Sequence, residues 1–214
     1  MLTVSIGKDL VEVADKLGII QAIKRKLVSQ PDPALDKLVT ALQEVSKIYD
    51  ALQTEVKSLL SLYFDPSSTP EGAKSRAQER AMLVALEGGE LAARMRRAKG
   101  HCNKIENIYG KYLSPWFQRI LTPDENNSMF QFFHFFHGVD LEMVQRIEEV
   151  AEWLSQQAQA LADLVDNNRF DEANARIRDL RNELRPIRKD MAEVMKVLFD
   201  LEAEFTAVSG AVGT

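Results

Sequence analysis

Cysteine is nearly absent from this chain. The single Cys102 has no internal partner, so no disulfide staples the fold, and a reducing, cytoplasmic setting is expected. Glycine and proline are scarce, 10 and 7 residues, and fall between long periodic runs, which favours helices over hairpin-rich sheet. There is no basic surplus: 27 Lys and Arg face 32 Asp and Glu, a net charge of −5, so nucleic acid is not the expected partner. No stretch approaches the roughly 18 apolar residues of a membrane-spanning helix. Residues 1–9 lack the charged start and apolar run of a secretory signal.

Catalytic signatures are missing too. The sequence has no His-Glu-x-x-His, no phosphate-binding Walker loop, no Gly-rich dinucleotide fingerprint and no Gly-x-Ser-x-Gly. The paired Glu-x-x-His motifs of a di-iron bundle are absent as well. No cofactor is expected and no catalytic residue stands out.

What the chain does have is helical periodicity. Across 170–208, steps of three and four land on Phe170, Ala173, Ile177, Leu180, Leu184, Ile187, Met191, Val194, Leu198, Leu201, Phe205 and Val208. That is a long helix with one apolar seam, about 58 Å long at 1.5 Å per residue. Pro186 lies inside it and is expected to kink it. Partner seams run through Leu35, Leu38, Leu42, Val45, Tyr49, Leu52, Val56, Leu59 and Tyr63, and through Val144, Ile147, Ala151, Leu154, Ala158, Leu161 and Val165. A third seam uses small residues: Ala77, Ala81, Val84, Gly88, Leu91, Met95, Ala98, Cys102, Ile105, Tyr109 and Tyr112, with Gly88-Gly89 a candidate break. A first helix over 9–28 carries Leu10, Val13, Ala14, Leu17, Ile20, Ile23 and Leu27, preceded by an extended lead. The boundaries are marked by Pro31-Asp32-Pro33, by Asp65-Pro66, by Thr69-Pro70, by the capping box of Thr122 and Glu125, and by Gly138 and Asp140. The spacing predicts an all-α fold. It is one elongated antiparallel up-down bundle of four long helices, with an added N-terminal helix, an aromatic-rich insert over 113–138 and a frayed tail over 209–214.

Asn167-Asn168-Arg169-Phe170-Asp171-Glu172-Ala173 resembles the inter-helix turn of tetratricopeptide repeats. It does not recur at that family's 34-residue period, so it is read as a helical-hairpin turn.

Three groups are candidate sites. The insert concentrates Trp116, Phe117, Phe130, Phe132, Phe133, Phe135 and Phe136, an arc too wide for one flat interface to bury. It is expected to be wedged between elements or partly exposed to a protein partner, a second copy or lipid. Two cationic clusters, Lys24, Arg25, Lys26 and Arg94, Arg96, Arg97, Lys99, are candidates for an anion or a lipid surface. His134 and His137, three residues apart, are the weak metal candidates. The leading expectation is a non-catalytic protein interaction or scaffolding module. The alternatives are a membrane-surface bundle and, behind it, a small-ligand or metal sensor around Gly88 and Ala98.

Overall fold

In the computed structural model the chain is all-helical. It describes residues 2–29, 32–87, 89–136 and 142–212, with side chains over 15–29, 32–86, 93, 96–136 and 143–209, and no strand occurs among them. The helices are α1 (Leu2–Val28), α2 (Ala34–Ser61), α3 (Pro70–Glu87), α4 (Gly89–Ile108), α5 (Ser114–Ile120), α6 (Pro123–Phe135), α7 (Glu142–Asp166), α8 (Phe170–Glu183) and α9 (Arg185–Val212). A π-helical turn, Tyr109–Leu113, links α4 to α5. Among the described residues no helix is long and apolar enough to cross a membrane.

The expected seams become one core. Leu35 through Leu52 on α2, Ile147 through Val165 on α7, and Ala173 through Phe205 on α8 and α9 all lie in it. So do Leu17, Ile20, Ile23 and Leu27 of α1, while Leu10, Val13 and Ala14 lie outside the described side chains. The hub, however, is α2 rather than the last helix. Besides its seam it buries Ala41, Glu44, Ser46, Ile48 and Glu55, and it touches α3, α4, α7, α8, α9 and the π turn.

Several local expectations change. Residues 2–7 are helical, not an extended lead. The second helix stops at Ser61, leaving Tyr63 outside the seam and exposed. On α3 the small-residue stripe faces out, with Ala77, Ala81 and Val84 exposed, and the larger Leu83 and Leu86 take the core. Burying two leucines removes more apolar surface from water than burying that stripe. The seam returns on α4, where Ala98, Cys102 and Ile105 are buried. Gly88 itself lies outside the described residues. On either side of it, Arg80 pairs with Asp166 and Lys99 with Glu148, so α3 and α4 keep one opposed register along α7.

Prolines explain two interruptions. Pro186 has no N–H, and its ring crowds the carbonyl four residues back, so the last helix divides at Leu184 into α8 and α9 while its seam continues. At Ser114-Pro115 the short helix α5 begins with no break in the helical chain before it. Pro115 cannot bond Lys111 O, and the backbone widens so that Ser114 N–H donates to Tyr109 O, five residues back. The expected caps do form. Ala34 N–H donates to Asp32 Oδ1 at 2.9 Å, and Thr122 and Glu125 close a capping box. Asn168 takes φ 58° in the α7–α8 turn, a left-handed conformation that asparagine tolerates.

The loop after α2 is not helical, and the peptide groups of its buried Phe64 have no helix to satisfy them. Asn174 of α8 does so instead. Its Oδ1 accepts from Phe64 N–H at 2.9 Å, and its Nδ2 donates to Phe64 O at 2.7 Å. Arg181 Nε donates to Leu60 O at 2.8 Å, and Arg76 donates to Asp65 O and Ser67 O, both at 2.6 Å. Space there is tight: a Cβ on Gly72 would collide with Ser67 and stand 2.9 Å from Asp65 Oδ2. Asn174→Ala leaves both Phe64 peptide groups buried and unbonded. It is expected to cost about 2–4 kcal/mol in chemical denaturation, at the upper end of single hydrogen-bond deletions. A loss under about 0.5 kcal/mol would mean water replaces the amide.

Candidate functional site

The aromatic insert is core. Trp116, Phe117, Phe132, Phe133, Phe135 and Phe136 are all buried. Their rings interlock: Tyr109 stacks on Phe133 at 5.1 Å between centroids, and Phe132 meets Phe133 edge-on at 5.0 Å. The capping box and Pro123 start α6 so that this face turns inward, toward α1 and α5. Only Phe130, 44% exposed and stacked on His134 at 4.9 Å, keeps a surface. Six of the seven aromatic candidates therefore cannot meet a partner in this fold.

The cationic candidates separate. Lys24 bonds Glu204 at 3.0 Å and Lys26 bonds Glu125 at 2.9 Å, leaving Arg25 as the exposed member of that triplet. The Lys26 ammonium and the Thr122 N–H hold the Glu125 carboxyl down at about 2. Lys99 is taken by Glu148, whereas Arg96 and Arg97 are exposed. The Arg94 side chain, His137, Gly138 and Asp140 lie outside the described residues. Among those described, no cluster of three or more His, Cys, Asp or Glu could hold a metal. Ala98, beside the proposed ligand gap, is packed in the core.

Two edges of α2 take over as sites. On the first, α2 meets α9 with residue numbers running in opposite directions. Gln43 donates to Glu202 at 2.8 Å, and Ser209 bonds Asp36. Between them opens a groove of about 380 Å³, lined by Asp50, Gln53, Ala192, Met195, Lys196, Phe199 and Asp200. Phe199 is 56% exposed. Ala192, Met195 and Phe199 follow steps of three and four, so α9 carries a second, outward seam besides the buried one. Its signal was present in the sequence, but the stronger inner seam accounted for the helix by itself.

On the second edge, α2 meets α4 around Glu44, which is only 4% exposed. Lys47 Nζ lies 2.8 Å from its Oε1. His101 Nδ1 bonds Oε2, and Lys104 Nζ stands 3.6 Å from the same oxygen. Burial pushes the Glu44 carboxyl up, but hydrogen bonds from Lys47 and His101, with their charges, outweigh it and hold it below its ordinary 4.5. Sequence pattern missed this residue because a glutamate between apolar neighbours reads as a solvated position.

Two measurements follow from this geometry. Glu44→Gln should lower stability at pH 7 by about 1–2 kcal/mol, a charged hydrogen-bond loss discounted for half-exposed lysines. A folded value below 4.5 means the carboxylate stabilises above that pH and stops doing so as pH falls through the lowered value. Denaturation of wild type and variant should therefore converge between pH 5 and pH 3 (roughly the carboxylate range); a gap constant with pH would contradict the ionic account. For Cys102, burial pushes the thiol up to about 12, so a thiol reagent at mildly alkaline pH should label it only after unfolding. Rapid labelling of the native chain would place it outside the core.

No family model, curated protein or solved structure matches the chain.

Proposed function

We propose that the chain is a helical-bundle interaction module that docks an amphipathic helix of a partner protein in the α2–α9 groove. The observation that carries this reading is the outward seam of Ala192, Met195 and half-exposed Phe199 at coiled-coil spacing. A seam with that period is complementary to another helix, whose apolar residues would repeat in the same steps. The rim adds charge selection: Asp50 and Asp200 outnumber Lys196, which favours a basic flank on the incoming helix. Phe199 would be the anchor, a large aromatic side chain that loses most of its remaining exposure on docking.

The frame suited to this is an elongated, single-domain, antiparallel up-down bundle of α2, α3–α4, α7 and α8–α9. The opposed pairings of α2 with α9 and of α3–α4 with α7 support that arrangement. A reducing, cytoplasmic location suits a chain with one inert buried thiol.

A photo-reactive phenylalanine analogue at position 199 in native extract tests this, with cross-linked peptides sequenced. The expected product is a helical segment with apolar residues in steps of three and four and flanking Lys or Arg. Phe199→Asp should abolish recovery of the same protein while changing stability by under about 0.5 kcal/mol, as an exposed site allows. Partner recovery undiminished by Phe199→Asp would sink the reading.

A further inference from the structure

The α2–α4 edge concentrates positive charge on an acidic molecule. Lys37 and Lys47 of α2, Arg97 and Lys104 of α4, and Lys111 of the π turn are all exposed there. The order is fixed by contacts: Lys37 lies over the Tyr112 ring, Lys104 reaches Glu44, and Arg97 sits one turn before His101 on the same face. Arg97, Lys104 and Lys111 recur every seven residues, so they form one row about 21 Å long. Glu106 is not in that row; it lies seven residues after Lys99, on the side that meets α7. Among the described residues, the carboxylate that Lys47 and Lys104 contact is Glu44, which is buried. These five cations and Glu44 together carry +4, on a chain of net −5.

One end of the strip is more specific than a charged row. Lys37 Nζ lies 5.3 Å and Lys111 Nζ 5.2 Å from the centroid of the same Tyr112 ring, which is 39% exposed. The two ammonium groups are thus within about 10 Å of each other. Among the described residues, the contact shown for each of these ammonium groups is this ring. A lysine pair beside an exposed phenol offers charge and O–H donation to an anion. The ring also gives both cations a fixed neighbour, which reduces the freedom they lose on binding.

We propose that this strip binds a compact ligand carrying clustered phosphate monoesters. One phosphate sits between Lys37 and Lys111 at Tyr112, and the next is directed toward Lys104. Charge decides the class. A phosphate monoester carries about −1.5 to −2, so two of them balance the excess of +4. A phosphodiester backbone brings about one charge per phosphate and would have to lie along the whole row. The same chemistry occurs in a soluble polyphosphorylated small molecule and in a polyphosphorylated lipid headgroup, so the source is settled by experiment. This proposal uses the side of α2 that meets α4 and the docking groove the side that meets α9, and different residues test the two.

The full chain is titrated calorimetrically with inositol hexakisphosphate, and sedimented with phosphatidylcholine vesicles with and without a bisphosphorylated phosphoinositide. A short single-stranded RNA is titrated in parallel. The variants are Lys37→Gln/Lys111→Gln and, as a charge-matched control, Lys57→Gln/Lys189→Gln; both are checked for unchanged melting. The site variant should weaken binding of the soluble probe at least tenfold, about the worth of one charge-assisted contact. The control should stay within twofold. Vesicle binding that follows the same variants assigns a lipid headgroup; soluble binding without vesicle binding assigns a free ligand. No binding to either probe, equal loss in both variants, or binding confined to RNA overturns the proposal.

Discussion

Two hydrogen bonds from one amide hold the place where the chain turns from α2 toward α3. After Ser61 the chain must leave α2, cross toward α8 and begin α3, and for several residues no helix satisfies its backbone. The Asn174 side chain pairs with both peptide groups of Phe64, as a neighbouring strand would. Arg181 and Arg76 extend the same service to Leu60, Asp65 and Ser67. This ties α8 to the end of α2. Through Leu184 it also sets where α9 starts, and therefore how α9 lies against the length of α2.

Much of the fold was legible in the sequence because helical burial has a period. The seams of α2, α7 and α8–α9 landed in the core almost residue for residue, and Asp32, Thr122 and Pro186 acted as their chemistry requires. Legibility failed where residues of similar size compete. On α3 the small stripe of Ala77, Ala81 and Val84 has the right spacing, yet Leu83 and Leu86 bury more apolar area on a neighbouring face. It failed also where a local rule has two outcomes. Ser114-Pro115 can open a helix or widen one already running; here α5 starts at Ser114 directly out of a π turn, which helical periodicity does not signal.

The candidate sites were less legible, for a related reason. Aromatic density shows how much surface must be hidden, not whether the chain itself hides it. Here α1, α5 and α6 hide nearly all of it, while Phe199 of α9 is among the large apolar side chains left exposed. Local charge runs mislead in the same way. Lys24 and Lys26 are consecutive-looking cations that carboxylates from distant segments neutralise. Lys37, Lys104 and Lys111 are scattered in sequence and become neighbours only when two helices align.

The π-helical turn at Tyr109–Leu113 acts as an angular spacer. Each residue added to or removed from a helix rotates everything beyond it by about 100°. Widening the turn absorbs one residue without lengthening the rod by a full step, so it sets the rotational phase of α5 relative to α4. In that phase Cys102 and Ile105 point into the core before the turn and Trp116 and Phe117 after it, while Lys111 and Tyr112 are turned outward between them. A one-residue deletion in this turn would therefore act as a change of phase. It would swing the aromatic wedge off the core and carry the lysine–tyrosine corner away from α2 in the same motion.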